Sequence, residues 1–241
     1  MQFSIFKNQL SSWQGRSLII GLCKDEIDSQ LEKIDFIVDP KQLTARLNNN
    51  NFNGEIGNLI SLEILGQNLE SLNVIGLGDK NNMNSDTLRN SLPECIRKVI
   101  DKEEKIGILM PWHSLDHDAI YEIAEIVRLS SYKDNRFNKQ RDEEINLKQI
   151  EFLNYENTEN ISFKEVEDIC QGVEFARKLV AAPPNDLTPL EMSKKAIEIA
   201  NEYNLEIQIL EEKDCLNLGM GAYLAVAKGS NLKPKFIHIT Y

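Results

Sequence analysis

The sequence predicts an α/β fold in two domains, on three observations. Through the first part of the chain, short apolar runs rich in Ile, Leu and Val alternate with helical patterns, the order that builds a sheet with helices packed on it. Most of these runs are nearly continuous in apolar residues, as strands covered on both faces are. From Phe163 the apolar period lengthens to steps of three and four, and a second set of strand and helix patterns follows.

The predicted strands of the first domain run from Ser17 to Cys23, Ile34 to Val38, Leu59 to Leu65, Leu72 to Gly78 and Lys105 to Pro111. Asp39-Pro40 offers a side-chain acceptor for orphan amides and a proline where no amide is needed, so a helix is expected through Leu47. Ser85 is the expected cap of a helix to about Ile100, and Asp116 of a third through Leu129. The Asn/Gly stretch NNNNFNGEIGN reads as the loop from the first helix to a strand. LKQIEFL, Leu147 to Leu153, adds an edge strand, and the polar NYENTEN after it reads as a domain linker.

Phe163, Val166, Ile169, Cys170, Val173, Ala176 and Val180 fall on one stripe of a helix about five turns long. Pro183 and Pro184 end it, because proline lacks the amide hydrogen and restricts the residue before it. Thr188-Pro189-Leu190-Glu191 restarts a helix through Tyr203. Thr188 is the N-cap, Pro189 the first helical residue, and Glu191 reaches back to the cap amide; Leu187 and Met192 hold the staple positions. A strand over LEIQIL, Leu205 to Leu210, comes next, then a short helix to about Leu218, the Gly-rich GMGAYLAVAKGS and a last strand, Lys235 to Tyr241. The domains are expected at residues 1–158 and 159–241. No helical pattern follows the last strand to cover it, and an uncovered sheet exposes apolar faces and an edge, so the intact protein is expected to continue past Tyr241.

Composition narrows the function. With 41% hydrophobic and 27% charged residues in 241, the chain can bury real cores. Its net charge is −11, with 18 basic against 26 acidic residues up to residue 160 and 9 against 12 beyond, so neither part is built for a phosphate backbone. The start, MQFSIFKNQL, has no basic and apolar regions of a secretory signal, and no apolar run reaches the roughly 20 residues that span a bilayer. A cytoplasmic protein is expected. Cys23, Cys95, Cys170 and Cys215 form no CxxC pair and read as buried thiols.

No motif supplies a catalytic constellation. Gly76-Leu77-Gly78 and Gly219-Met220-Gly221 lack the dinucleotide-binding and phosphate-loop spacings and read as turn and close-packing glycines. His113 and His117 have helix-face ligand spacing, but the cap expected at Asp116 leaves His113 outside the helix. Asp116 and Asp118 read as first-turn acids favourable to the helix dipole. No Ser or Cys stands in the context of an activated nucleophile.

The last third carries a resemblance. ARKLVAAPPNDLTPLEMSKKA, LGMGAYLAVAKGS and PKFIHITY, in that order and spacing, resemble the leucine aminopeptidase (cytosol aminopeptidase) family just before its catalytic motifs. The family usually has Asn-Thr-Pro-Pro-Asn where this chain has Ala181-Ala182-Pro183-Pro184-Asn185. The strong resemblance covers about Glu174 to Tyr241; the first 160 residues match in layout and length.

The resemblance implies a macro-domain-like amino-terminal α/β domain, a long connecting helix and an incomplete α/β metallopeptidase catalytic domain. It implies a homohexameric enzyme that releases amino-terminal residues, leucine preferred, from peptide substrates with two divalent metal ions, Mn²⁺ or Zn²⁺, per subunit. The family's ligands lie in segments of the type Lys-Gly-x-Thr-x-Asp-x-Gly-Gly and Asn-Thr-Asp-Ala-Glu-Gly-Arg, and neither occurs here. No catalytic, metal-binding or substrate-binding residue is therefore numbered in this chain, and no metal is expected on it. Gly219 to Ser230 is expected to shape the fold beside the family's site. The competing readings are a non-catalytic regulatory or nucleic-acid-binding module, disfavoured by the charge, and an inactive assembly subunit.

Overall fold

A computed structural model describes residues 1–35, 39–64, 69–110, 117–137, 146–153 and 161–241; the side chains of His117 and Asp118 are outside that description. Two compact units are present, Met1–Glu174 and Phe175–Tyr241.

The first unit is a six-stranded sheet built from β1 (Gln2–Ile5), β2 (Ser17–Leu22), β3 (Leu59–Glu63), β4 (Ser71–Gly76), β5 (Lys105–Leu109) and β6 (Gln149–Leu153). Their order is β1-β6-β5-β2-β4-β3, parallel except where β3 runs antiparallel to β4. The α/β class expected from the sequence is what the chain forms. Successive residues of β2 point to opposite faces, and both faces are dry: Ile19 packs in one core, Leu18, Ile20 and Leu22 in the other. Helices α3 (Ser85–Val99), α4 (His117–Ser130) and the start of α5 (Lys164–Ala181) cover the first face through Leu92, Ile96, Ile123, Val166 and Cys170. Helices α1 (Ile27–Leu31) and α2 (Pro40–Asn49) cover the second through Leu31, Leu43 and Leu47.

Several local expectations are corrected. LKQIEFL forms β6, but not at an edge: it lies between β5 and β1, and the edge is taken by β1, a strand that a four-residue run after Met1 did not announce. Ile34 closes a 3₁₀ turn (Glu32–Ile34) and Asp35 follows in a turn, so the strand expected from Ile34 does not begin there; the rest of that run, residues 36–38, is outside the described residues. The cap of α3 is Asn84, not Ser85. The Asn84 side chain accepts from the Thr87 amide at 3.1 Å and Thr87 Oγ1 accepts from the Asn84 amide at 3.3 Å, while the Ser85 hydroxyl donates to Glu122 on α4. Asp39 does cap α2, accepting from the Lys41 amide at 2.9 Å. The expected cap Asp116 and linker Asn154 to Asn160 lie outside the described residues.

On α5 the expected stripe docks over its first half only. Val166 and Cys170 are buried and Val173 is half-buried, but Ile169, Ala176 and Val180 are exposed, Val180 at 87%. The first unit extends to Glu174, and Val166 and Cys170 complete its core. An ion pair adds to the packing: Arg128 on α4 donates to Glu174 at 2.7 Å with both side chains largely covered.

The second unit carries α6 (Pro189–Tyr203), β7 (Glu206–Leu210), α7 (Glu212–Asn217), α8 (Gly221–Ala227) and β8 (Phe236–Thr240), with β7 and β8 paired antiparallel. Thr188 caps α6, accepting from the Glu191 amide at 3.3 Å, with Pro189 in the first turn. The reciprocal arm of the expected box is replaced: the Glu191 carboxylate pairs with Lys194 at 2.6 Å. Thr188→Ala is thus expected to cost about 0.5–2 kcal/mol, nearer the lower figure for a single long cap bond. The readout, taken on an intact homologous protein, is the unfolding midpoint of the transition assigned to the second domain, with that of the first unmoved; an unchanged second midpoint would show that the cap contributes nothing.

Candidate functional site

The residues that resemble known catalytic-domain sequence form a connected piece of backbone in the second unit. After α5 ends at Ala181, the Pro183 carbonyl accepts from the amides of Asp186 and Leu187, both at 2.9 Å, and this tight turn delivers Thr188 as the cap of α6. Gly219 ends α7 in the left-handed region at φ +71°, where a side chain would be strained. Its amide donates to Leu216 and that of Met220 to Cys215, the paired bonds of a Schellman turn. The Gly-rich stretch then becomes α8, whose Tyr223 meets Phe236 of β8 edge-on at 5.8 Å. Gly219 is a turn glycine, as expected, whereas Gly221 opens a helix with nothing near its missing side chain.

Gly76 and Gly78 are close-packing and turn glycines. A Cβ on Gly76 would stand 2.2 Å from the Glu55 carbonyl oxygen, and Gly78, at φ +73°, donates to the Gly54 carbonyl at 2.8 Å. Beside them, after β2, lies a cavity of about 510 Å³ lined by Lys24, Asp25, Glu26, Asp28, Thr44 and Phe52 among others. The sequence offered no signal for it. Three carboxylates face one lysine there, and Lys24 is paired with Glu55, while Lys80 holds Glu26 at 2.7 Å. That charge repels phosphates, so the cavity gives the glycines no anion-binding role.

All four cysteines are buried and unbridged. Burial pushes the Cys23 thiol up and the Cys95 thiol up to about 12, so neither supplies a thiolate near neutral pH. His113 and Asp116 lie outside the described residues, and His117 opens α4. Among the described residues no group of three or more His, Cys, Asp or Glu side chains is placed to hold a metal ion. The described donors thus do not fit the two-metal centre that the resemblance implies, and no chemical step is assigned through it.

What the backbone does carry is the pattern of two known domains in sequence. Residues 19–141 match the model of the cytosol aminopeptidase family, N-terminal domain, and residues 174–241 that of the cytosol aminopeptidase family, catalytic domain. The chain belongs to the cytosol aminopeptidase family. Its relatives include probable cytosol aminopeptidases of Prochlorococcus marinus subsp. pastoris (strain CCMP1986 / NIES-2087 / MED4), 54% identical over all of this chain, and of Synechococcus sp. (strain CC9311), 35% identical. The chain spans about half the length of these relatives, 49% in both cases. Among solved structures, a tomato leucine aminopeptidase mutant matches 99% of this chain and 50% of its own, with a TM-score of 0.88 at 25% identity. The bottromycin maturation enzyme BotP in complex with Mn shares the fold at a TM-score of 0.72 and 18% identity, over 94% of this chain and 45% of its own. The catalytic-domain match begins at Glu174, where the strong sequence resemblance also starts, one residue before the second unit of this cytosol aminopeptidase family chain.

Proposed function

We propose that this chain supplies the amino-terminal domain and the opening part of the catalytic domain of a cytoplasmic metallo-aminopeptidase. The whole enzyme removes amino-terminal residues, leucine preferred, from peptides with two divalent ions, Mn²⁺ or Zn²⁺, and works as a homohexamer. The observation that carries this reading is the order of the family matches, amino-terminal domain over 19–141 and catalytic domain over 174–241. The net charge of −11 supports a peptide substrate over a polynucleotide. No helix among the described residues is long and apolar enough to cross a membrane, which accords with a cytoplasmic enzyme.

Two-metal hydrolysis needs several carboxylates converging on ions a few ångströms apart and a positive group for the oxyanion. The described residues bring no such donors together, so the chain by itself is expected to be inactive. The test joins residues 1–241 to the part of the 54%-identical relative that follows its match, and assays both forms on leucine p-nitroanilide with Mn²⁺ or Zn²⁺. The joined protein should turn over and the 241-residue chain should not. A folded but inactive joined protein overturns the functional reading; metal-dependent turnover by the chain alone overturns the assignment of the donors to other sequence.

A further inference from the structure

In the first unit, the sheet face toward α3 changes from apolar to polar along its length. Register and alternation put Ser17 and Ile19 of β2, Ser71, Asn73 and Ile75 of β4, and Leu59, Ser61 and Glu63 of β3 on that one face. Ile19, Ile75 and Leu59 belong to the core that α3 completes. At the other end Asn73 is 1% exposed and Ser17 0%. The Asn73 amide donates to Ser71 Oγ at 3.1 Å and to Ser17 Oγ at 3.3 Å, and its oxygen accepts from Ser61 Oγ at 2.7 Å, a polar link across three strands. Helix α3 ends at Val99, and a cavity of about 790 Å³ is lined there by Ser61, Ser71 and Asn73 from the sheet and by Lys98, Lys102 and Glu103 from the helix end and the turn after it. A buried asparagine at a core-facing strand position, where an aliphatic side chain would carry no polar desolvation cost, departs from what packing alone requires. Such departures concentrate at binding sites.

The groups around the cavity select the ligand. Ser71 accepts from Asn73 and, among the described residues, has no acceptor for its own hydrogen. Lys98 is held by Glu94 and Glu70 by Arg16, whereas Lys102 and Glu63, which also line the cavity, enter no ion pair among the described residues. Phosphate would meet the carboxylates of Glu63, Glu70 and Glu103, a bare cation would meet the two lysines, and no aromatic ring lines the cavity for a nucleobase to stack on. A molecule carrying both charges satisfies the set. We propose that this cavity binds the zwitterion of a free amino acid or dipeptide, whose carboxylate accepts from Ser71 and Lys102 and whose ammonium donates to Glu63. The site lies within the residues that match the family's N-terminal domain, outside the catalytic-domain segment, so it does not depend on the functional reading above.

The test titrates the 241-residue chain calorimetrically with glycylglycine, and separately with N-acetylglycine, which lacks the ammonium, glycinamide, which lacks the carboxylate, and inorganic phosphate. Glycylglycine should bind saturably with a Kd of about 1 mM or below, and each of the other three should bind about tenfold more weakly or worse. Lys102→Ala and Glu63→Gln should each weaken glycylglycine by about tenfold. Both positions are exposed, so the variants should keep the parent's circular dichroism. Lys41→Ala, at an exposed position on α2, removes a charge elsewhere on the same unit and should leave binding unchanged. Failure of glycylglycine to saturate well above about 1 mM overturns the proposal and leaves the polar link a structural one. Equal binding of N-acetylglycine, glycinamide or phosphate, or parental affinity in the folded Lys102 and Glu63 variants, overturns it as well.

Discussion

Phe152→Ala is expected to destabilise the first unit by about 3–5 kcal/mol, the range for deleting a fully buried aromatic ring. Phe152 is 0% exposed on β6, opposite Ile5 of β1 and Ile108 of β5. Its ring stacks on Phe163 at 5.6 Å and on Phe3 at 6.2 Å, and Phe163 meets Tyr121 of α4 edge-on. One side chain thus joins the sheet, the edge strand and the approach to α5. Alanine would leave a cavity that strands held on both sides cannot close, so the transfer and cavity costs add. Urea unfolding followed by fluorescence should show a lower midpoint with the same slope. Phe137→Ala, at a 50% exposed site, should cost no more than about 1 kcal/mol. A loss below about 1 kcal/mol for Phe152→Ala would mean that the site collapses around the smaller residue, contrary to the packing described.

The second large effect comes from a single added methyl group whose sign depends on place. Gly76→Ala should cost about 1–3 kcal/mol or more, because its Cβ would lie 2.2 Å from the Glu55 oxygen and 2.7 Å from the Gly54 carbonyl carbon. Both are backbone atoms and cannot swing aside. The loop they belong to is tied down, with the Gly76 amide donating to Asn58 and Gly78 to Gly54, and the Lys24 amide donating to Gly78. The Gly76 carbonyl also accepts from buried Ser91 at 3.0 Å, so a shift there would disturb α3 as well. Gly172→Ala should do the opposite. That residue lies on an exposed face of α5 with nothing within 4 Å of the new methyl, so removing glycine's freedom from the unfolded chain should stabilise by about 0.4–1 kcal/mol. Thermal midpoints of both variants measure the contrast; equal shifts of one sign would show that backbone contact at Gly76 does not control the outcome.

By itself the sequence determined the α/β class, five of the first unit's six strands, and the helices begun by Asp39-Pro40 and Thr188-Pro189. These depend on period, proline and short side chains acting within a few residues. The family was legible for a related reason: the turn at Pro183-Pro184, the cap at Thr188 and the Schellman glycine Gly219 are local devices that keep their spacing in the chain. The site chemistry was not legible, since the described residues do not converge on any metal-binding group. Only the tertiary structure decided that β6 is interior, because its partner β1 lies at the other end of the unit and Gln2 meets Gln149 through parallel pairing that no local pattern encodes. It moved the α3 cap from Ser85 to Asn84, since contact with Glu122 on α4 engages the serine hydroxyl. It also split the α5 stripe, burying Val166 and Cys170 while leaving Val180 exposed, because periodicity sets which residues share a face and only a packed neighbour removes that face from water.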